Sequence, residues 1–138
     1  MYRIDFENCI FHDATIEKIN YESDLLTLYI HNALYENSYC DLSIELKSEE
    51  YGLQIYSLKQ YPRCRKVKLK GREISIHTLK SFSERGYTPK INEFLVSAES
   101  NLVIIDSVLF PYARKRGVYK KIIISIDYES EFVIKKLS

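Results

Sequence analysis

Tryptophan is absent from this chain of 138 residues, which also has only four glycines, three prolines, three cysteines and one methionine. So few glycines leave no Gly-x-Gly-x-x-Gly string and no phosphate-binding loop, which excludes nucleotide binding through those motifs. Cys9, Cys40 and Cys64 are an odd number at irregular spacing, so we expect free thiols in a reducing compartment rather than a disulfide framework. The longest apolar runs, such as Ile122 to Ile124, fall far short of the ~20 residues of a membrane-spanning helix.

Neither sign of charge is in excess, because the chain has 20 Lys and Arg residues and 19 Asp and Glu residues. This balance gives no overall attraction to nucleic acid or to a membrane, so neither partner is expected. The first residues are acidic where a secretory signal requires a basic segment and an apolar run, so we expect a cytoplasmic protein. The length predicts one domain over residues 1–138.

Apolar and polar residues alternate with period two along most of the chain, most clearly from Tyr39 to Lys47. This is the pattern of strands with one buried face and one wet face. It predicts a mainly β fold: an antiparallel meander of about nine or ten strands forming a sandwich, a half-barrel or a barrel. Leu102 to Phe110 is apolar on both faces, as expected of a central strand. At most one short helix is expected, near residues 78–86.

Two local features refine this expectation. Ala14 to Tyr21 and Leu25 to His31 read as a hairpin, and the apolar positions of its first strand slip by one residue, which predicts a β-bulge near Glu17 and Lys18. Gly71 sits between two alternating segments, Arg65 to Lys70 and Glu73 to His77, and is expected at the tight turn of the hairpin that they form.

Residues with catalytic or metal-binding chemistry are scattered. His12 and Asp13 are adjacent, but neighbouring side chains of an extended chain point to opposite faces, so we expect them not to meet and assign Asp13 to a turn. Cys9 and His12 have the spacing of half a zinc site, yet a structural zinc needs four ligands and no second pair exists. No catalytic residue, metal or cofactor is therefore expected, and no enzymatic activity.

A run of basic residues gives a stronger signal. Lys66, Lys68, Lys70 and Arg72 alternate with other residues so that four positive charges line one face of a strand. This row suits the docking of an acidic protein surface or of phosphates. It equally suits the lysine-rich edge with which sheets prevent aggregation.

Two further surfaces are candidates for binding a partner. Arg114, Lys115 and Arg116, which lie in a loop, form a second basic stretch together with Lys120 and Lys121, and the two basic stretches would make one patch if they lay side by side. Tyr29 and His31 share the strand face opposite to the apolar one, and tyrosine is enriched at protein interfaces.

The string Phe11-His12-Asp13-Ala14-Thr15-Ile16-Glu17-Lys18-Ile19, followed by Leu25 to Leu28, resembles the opening of small bacterial β-rich domains. Some of these are similar to the immunity proteins of polymorphic-toxin and contact-dependent inhibition systems. The resemblance covers about the first thirty residues and brings no catalytic residues with it. It implies a cytoplasmic protein-binding domain that neutralises a cognate toxin by direct binding.

Two alternatives from other classes remain open. The first is a β-barrel that binds a small ligand or acts as an enzyme through His12 and Asp13, which requires a concave pocket that holds both side chains. The second is a structural domain that forms a homo-oligomer through an open sheet edge.

Overall fold

The computed structural model describes residues 2–60, 70–111, 119–130 and 132–137. These residues form eleven strands and one α-helix, with short 3-10 turns at Phe6–Asn8 and Glu50–Gly52. The strands are β1 (Tyr2–Ile4), β2 (Cys9–Ile10), β3 (Thr15–Glu22), β4 (Leu25–Tyr35), β5 (Ser38–Lys47), β6 (Leu53–Gln60), β7 (Lys70–Ile74), β8 (Thr88–Ser97), β9 (Leu102–Phe110), β10 (Tyr119–Asp127) and β11 (Val133–Leu137), and the helix is α1 (Ile76–Glu84).

The prediction of a mainly β, antiparallel fold with one short helix is confirmed. The predicted hairpin is β3 and β4, whose register shifts between Ile16 and Lys18 at the predicted bulge. Ser23 and Asp24 join the two strands, and both have positive φ angles, 50° and 63°. Two successive positive φ angles define the type I′ turn, whose twist matches that of the flanking strands.

All eleven strands belong to one sheet, which is not closed into a barrel. Its order is β1-β11-β5-β4-β3-β8-β9-β10-β6-β7, with β2 paired to β4 beside this path. Consecutive strands are neighbours in β3-β4-β5 and in β8-β9-β10, but β6 crosses to β10 and β11 crosses back to β5. The fold therefore contains two meanders rather than one continuous meander.

The sheet divides into two half-sheets at a narrow junction. The first half-sheet is β1-β11-β5-β4-β3 and the second is β8-β9-β10-β6-β7, and the only Cα pair between β3 and β8 in the described chain is Thr15 with Lys90. Backbone hydrogen bonds from Asp13 N to Ile91 O, 2.8 Å, and from Ile91 N to Ala14 O, 2.7 Å, reinforce the junction. Beyond it the two half-sheets are free to turn their inner faces towards each other.

One hydrophobic core covers the inner faces of both half-sheets. Leu28 and Ile44 in the first half-sheet and Ile105 and Ile124 in the second are at most 1% exposed. A nine-residue helix is too small to cover ten strands, so the two inner faces bury each other, as in a sandwich made by folding one sheet. Phe11 and Phe94 stack across the junction with ring centroids 4.4 Å apart.

The two half-sheets repeat the same register. In the first, Leu28 pairs with Ile44, which pairs with Ile134; in the second, Ile105 pairs with Ile124, which pairs with Ile55. The bulge of β3 recurs in β8, between Ile91 and Glu93. Residues 2–60 and 70–137 thus have equivalent strand orders, with β6 and β11 exchanged between the halves.

The helix α1 closes one end of the core, where its equivalent in the first half is the short turn at Phe6–Asn8. Ser75 caps it, because the side chain accepts a hydrogen bond from Thr78 N at 3.1 Å. Ile76, Leu79 and Phe82 lie on its buried face. Within the described parts of the chain, no helix is both long and apolar enough to cross a membrane.

The predicted turn at Gly71 is wrong, because Gly71 lies inside β7 and pairs with Leu58. Its φ angle is not in the left-handed region. A Cβ atom at this position would lie 2.3 Å from Leu58 Cδ2. The absence of a side chain at Gly71 therefore leaves room for the side chain of Leu58 on the neighbouring strand. Ile76 and His77, expected on the second strand of that hairpin, begin α1 instead.

Candidate binding surface

The inner face of the second half-sheet changes from apolar to basic along the strands. Three cross-strand rows on β10, β6 and β7 show this: Ile124, Ile55 and Ile74; then Ile122, Ser57 and Arg72; then Lys120, Lys59 and Lys70. The first row lies in the core, and Lys120 and Lys59 of the last row lie at its rim. These two lysines are direct neighbours on adjacent strands, where like charges repel each other.

Lys120 occupies the centre of this basic surface. Partial burial lowers the pKa of its ammonium group, and the positive charges of Arg72, Lys59 and Arg85 lower it further. We call Lys59, Arg72, Arg85 and Lys120 the basic cluster. Three strands and the end of α1 bring these four cations together, since Arg85 follows the last turn of the helix.

Aromatic side chains form the floor beneath the cluster. Lys120 Nζ lies 4.6 Å from the ring centroid of Phe82, and the guanidinium carbon of Arg85 lies 5.2 Å from the same ring. Both contacts are of the cation–π type. Tyr87 lies beside them because the backbone turns at Gly86, φ 86°, where Tyr87 N donates to Phe82 O at 2.8 Å.

A cavity of about 190 Å³ opens at this floor. Its lining combines two cations with aromatic and aliphatic groups: Phe82, Arg85, Tyr87, Leu109, Pro111 and Lys120. A small, mostly apolar recess with cations at its mouth can take an acidic side chain together with an apolar neighbour.

Acidic residues of the described chain do not neutralise the cluster. None of the ion pairs found between described residues includes Lys59, Arg72, Arg85 or Lys120. The fold itself does not require a cation at the Lys120 position, because Cys40 occupies the equivalent position on β5. Lys120 therefore brings repulsion between like charges that the fold does not need.

The predicted basic strand contributes in part. Arg72 is exposed and belongs to the cluster, and Lys70 lies directly opposite Lys59. Lys66 and Lys68 lie outside the described residues. β7 is the last strand of the sheet order, which agrees with the edge-protection interpretation. That interpretation does not account for Lys59 and Lys120, because β6 and β10 are interior strands.

Arg114 to Arg116 of the second predicted basic stretch also lie outside the described residues, whereas Lys120 of the same stretch is the centre of the basic cluster. β10, the strand that follows Arg116 in the sequence, starts beside the end of β6, since Tyr119 pairs with Gln60.

Tyr29 and His31 lie on the outer face of the other half-sheet, on β4. His31 Nδ1 is 2.8 Å from Asp41 Oδ1, and Lys18 Nζ lies 5.6 Å from the ring centroid of Tyr29. His31 thus has a hydrogen-bond partner within the chain, and the Tyr29 ring has a cation–π contact with Lys18. The structure does not join these two residues to the basic cluster.

His12 and Asp13 do meet, contrary to our prediction. His12 Nδ1 lies 3.1 Å from Asp13 Oδ2, because the pair sits in a turn where Asp13 has a φ of 68° and not in an extended strand. Both side chains are 64% exposed. Neither lines any of four cavities, of about 130 to 360 Å³, that described residues form.

Metal-binding groups are not assembled in the described residues, which contain no group of three or more His, Cys, Asp or Glu side chains suited to an ion. Cys9 and Cys40 are half-buried free thiols. Burial, the nearby Cys40 and Asp5 raise the pKa of Cys9 to about 11, which makes this thiol a poor nucleophile at neutral pH.

Sequence reasoning missed Lys59 and Arg85, because cross-strand register and the end of a helix decide where they lie. A signal for the lysines does exist in the alternation. Lys120 is in phase with the buried Ile122 and Ile124, and Lys59 is in phase with the buried Ile55. A lysine in the phase of the core marks the place where the core ends.

Comparison of the chain with protein-family models, with curated proteins and with solved structures finds no match.

Proposed function

We propose that this domain binds another protein and that an acidic surface of that partner docks on the basic cluster. The observation that carries this proposal is the clustering of Lys59, Arg72 and Arg85 around Lys120, with Arg85 and Lys120 over the Phe82 ring, without an ion pair to a carboxylate of the described chain. Such an arrangement costs folding stability, and a partner that supplies negative charge removes the cost.

The composition of the surface suits a protein partner. Arginine and tyrosine are enriched among the residues that dominate binding energy at protein interfaces, and Arg85 and Tyr87 flank the recess. The exposed Arg72 and Lys59 at its border attract an acidic partner during encounter and so raise the association rate. Together they supply a central recess and a charged border.

The partner we propose is a toxin domain that this protein neutralises, as the resemblance of Phe11 to Ile19 to immunity proteins implies. Inhibition by surface masking needs no cofactor and no catalytic group in the inhibitor. The basic cluster provides the electrostatic part of such masking, and the recess beside Phe82 provides a place for an anchoring side chain.

A charge-reversal experiment tests this proposal. Lys59→Glu combined with Arg72→Glu reverses two exposed charges of the cluster, while Lys18→Glu combined with Lys47→Glu makes the same change in net charge on the first half-sheet. Each tagged protein is purified from its native host, and the proteins that accompany it are identified by mass spectrometry.

We expect a stoichiometric partner with the unaltered protein and with the control, and its loss with the cluster variant. The partner gene is then expressed with each form, and growth rescue by the unaltered protein and the control alone supports neutralisation of a toxin. Equal recovery of the partner with all three forms would remove the basic cluster from the interface.

A further inference from the structure

The amine of Lys120 lies at the recess beside Phe82. Lys120 Nζ is 4.6 Å from the centroid of the Phe82 ring, and both residues line the recess of about 190 Å³. None of the ion pairs between described residues includes Lys120. The described chain therefore holds this amine at a concave, mostly apolar surface without a carboxylate that would fix its charge.

Two features of the recess favour the neutral form of the amine, which is its nucleophilic form. Partial burial lowers the pKa of Lys120, and the positive charges of Lys59, Arg72 and Arg85 lower it further. These three cations reach Lys120 from β6, from β7 and from the end of α1, whereas β9 contributes the apolar Leu109. A lysine that is both desolvated and placed beside other cations is activated as a nucleophile towards carbonyl compounds.

The other residues of the recess determine which carbonyl compound fits. The guanidinium carbon of Arg85 lies 5.2 Å from the centroid of the same Phe82 ring. A guanidinium binds a carboxylate through two parallel hydrogen bonds. Leu109 and Pro111 offer apolar contact to a short carbon chain. The recess is smaller than the roughly 300–1,000 Å³ of pockets for drug-sized ligands, so the compound must be small.

We propose that Lys120 binds a small 2-oxo acid covalently as an imine, with the carboxylate of the acid paired with Arg85. The ketone and the carboxylate of a 2-oxo acid are adjacent, so one molecule reaches a nucleophile and a cation that lie over the same aromatic ring. Binding of this kind needs no protein partner, because the described chain leaves the recess accessible.

The covalent step is a condensation that needs no other reactant. The lone pair of the neutral amine attacks the ketone carbon, and the electron pair of the C=O bond moves to oxygen, which takes a proton. The carbinolamine then loses water as the C=N bond forms. Overall, the ammonium form of Lys120 and the ketone give a protonated imine and water, so the positive charge stays on the side chain. The carboxylate that arrives with the ketone reduces the repulsion within the basic cluster.

Reductive trapping of the unaltered protein tests this proposal. The protein is incubated with pyruvate and cyanoborohydride at neutral pH, and peptide mapping by mass spectrometry gives the rate at which each lysine gains a carboxyethyl group. We expect Lys120 to react about tenfold faster than Lys47, whose side chain is 63% exposed. Equal rates at the two lysines would overturn the proposal.

Acetone separates the reactivity of the amine from the role of Arg85, because it replaces the carboxylate of pyruvate by a methyl group. Arg85→Gln removes the carboxylate partner, and Lys18→Gln removes one positive charge from the first half-sheet as a control. We expect Arg85→Gln to slow the trapping of Lys120 by pyruvate about tenfold more than its trapping by acetone, and the control to change neither rate. An equal effect of Arg85→Gln on both compounds would overturn the assignment of a 2-oxo acid.

Discussion

Replacing Lys120 by methionine should stabilise this protein. The methionine keeps the aliphatic stem that contacts Phe82 and removes the charge that faces Lys59, Arg72 and Arg85. Each close like-charge pair destabilises the unaltered protein by about 0.2–1 kcal/mol. The cation–π contact with Phe82, which methionine cannot make, stabilises the unaltered protein by about 0.5–1 kcal/mol. The three pairs with Lys59, Arg72 and Arg85 together cost about 0.6–3 kcal/mol, so the expected net gain in the free energy of unfolding is about 1 kcal/mol at the middle of the range, measured by urea denaturation.

The neighbouring lysine supplies a matched control for this prediction. Lys121→Met removes an ion pair with Asp106 on the outer face and should leave stability unchanged or slightly lower. Added salt should shrink the advantage of Lys120→Met, because it screens the repulsion in the unaltered protein. If Lys120→Met proved less stable than Lys121→Met at low salt, the cations would not repel each other as the structure implies.

The sign of the pH dependence follows from the same contact. The folded state lowers the pKa of Lys120 below its ordinary value of 10.5, so the unfolded state binds the proton more tightly. The stability of the unaltered protein therefore gains a contribution from Lys120 as the pH rises through the folded pKa towards 10.5. The difference between the unaltered protein and Lys120→Met should close over that window.

Two further predictions concern the core and a thiol. Leu28→Ala and Ile105→Ala delete equivalent buried side chains, so each should cost about 2–5 kcal/mol in urea denaturation, and a cost below about 1 kcal/mol for either would contradict the shared core. In a Cys64→Ser background, the pKa of Cys9 of about 11 should slow its alkylation at pH 8 about a hundredfold relative to an unperturbed thiol, as peptide mapping can measure, and an ordinary rate would show that the thiol is not buried.

The strands could be predicted from the sequence because one physical rule, the alternation of buried and wet faces, determines most of them. It placed the hairpin β3-β4 and its bulge, and it identified β9 as a central strand. The sequence prediction failed at two places. At Asp13 the chain turns, so the side chains of His12 and Asp13 lie together and not on opposite faces. Gly71 was assigned to a turn because the close approach of Leu58 is not visible in the sequence.

The structural repeat between the two halves could not be predicted from the sequence, because equivalent positions share their burial and not their residue type. Equivalent positions hold Leu28 and Ile105, or Ile19 and Phe94, so no string of residues recurs. The connections also differ: two residues separate β3 from β4, but four separate β8 from β9. Pairing between strands distant in the sequence was needed to reveal it.

The same repeat makes each half an internal comparison for the other. Where both halves carry an apolar residue, as at Ile44 and Ile124, the core requires it. Where they differ, the fold tolerates either residue, and the choice must have another cause. Lys120 against Cys40 and Ile104 against Thr27 are such differences, and both fall on the second half-sheet, one on each of its faces. The first half-sheet therefore shows that the fold requires neither a lysine at the position of Lys120, at the rim of the inner face, nor an isoleucine at the position of Ile104, on the outer face.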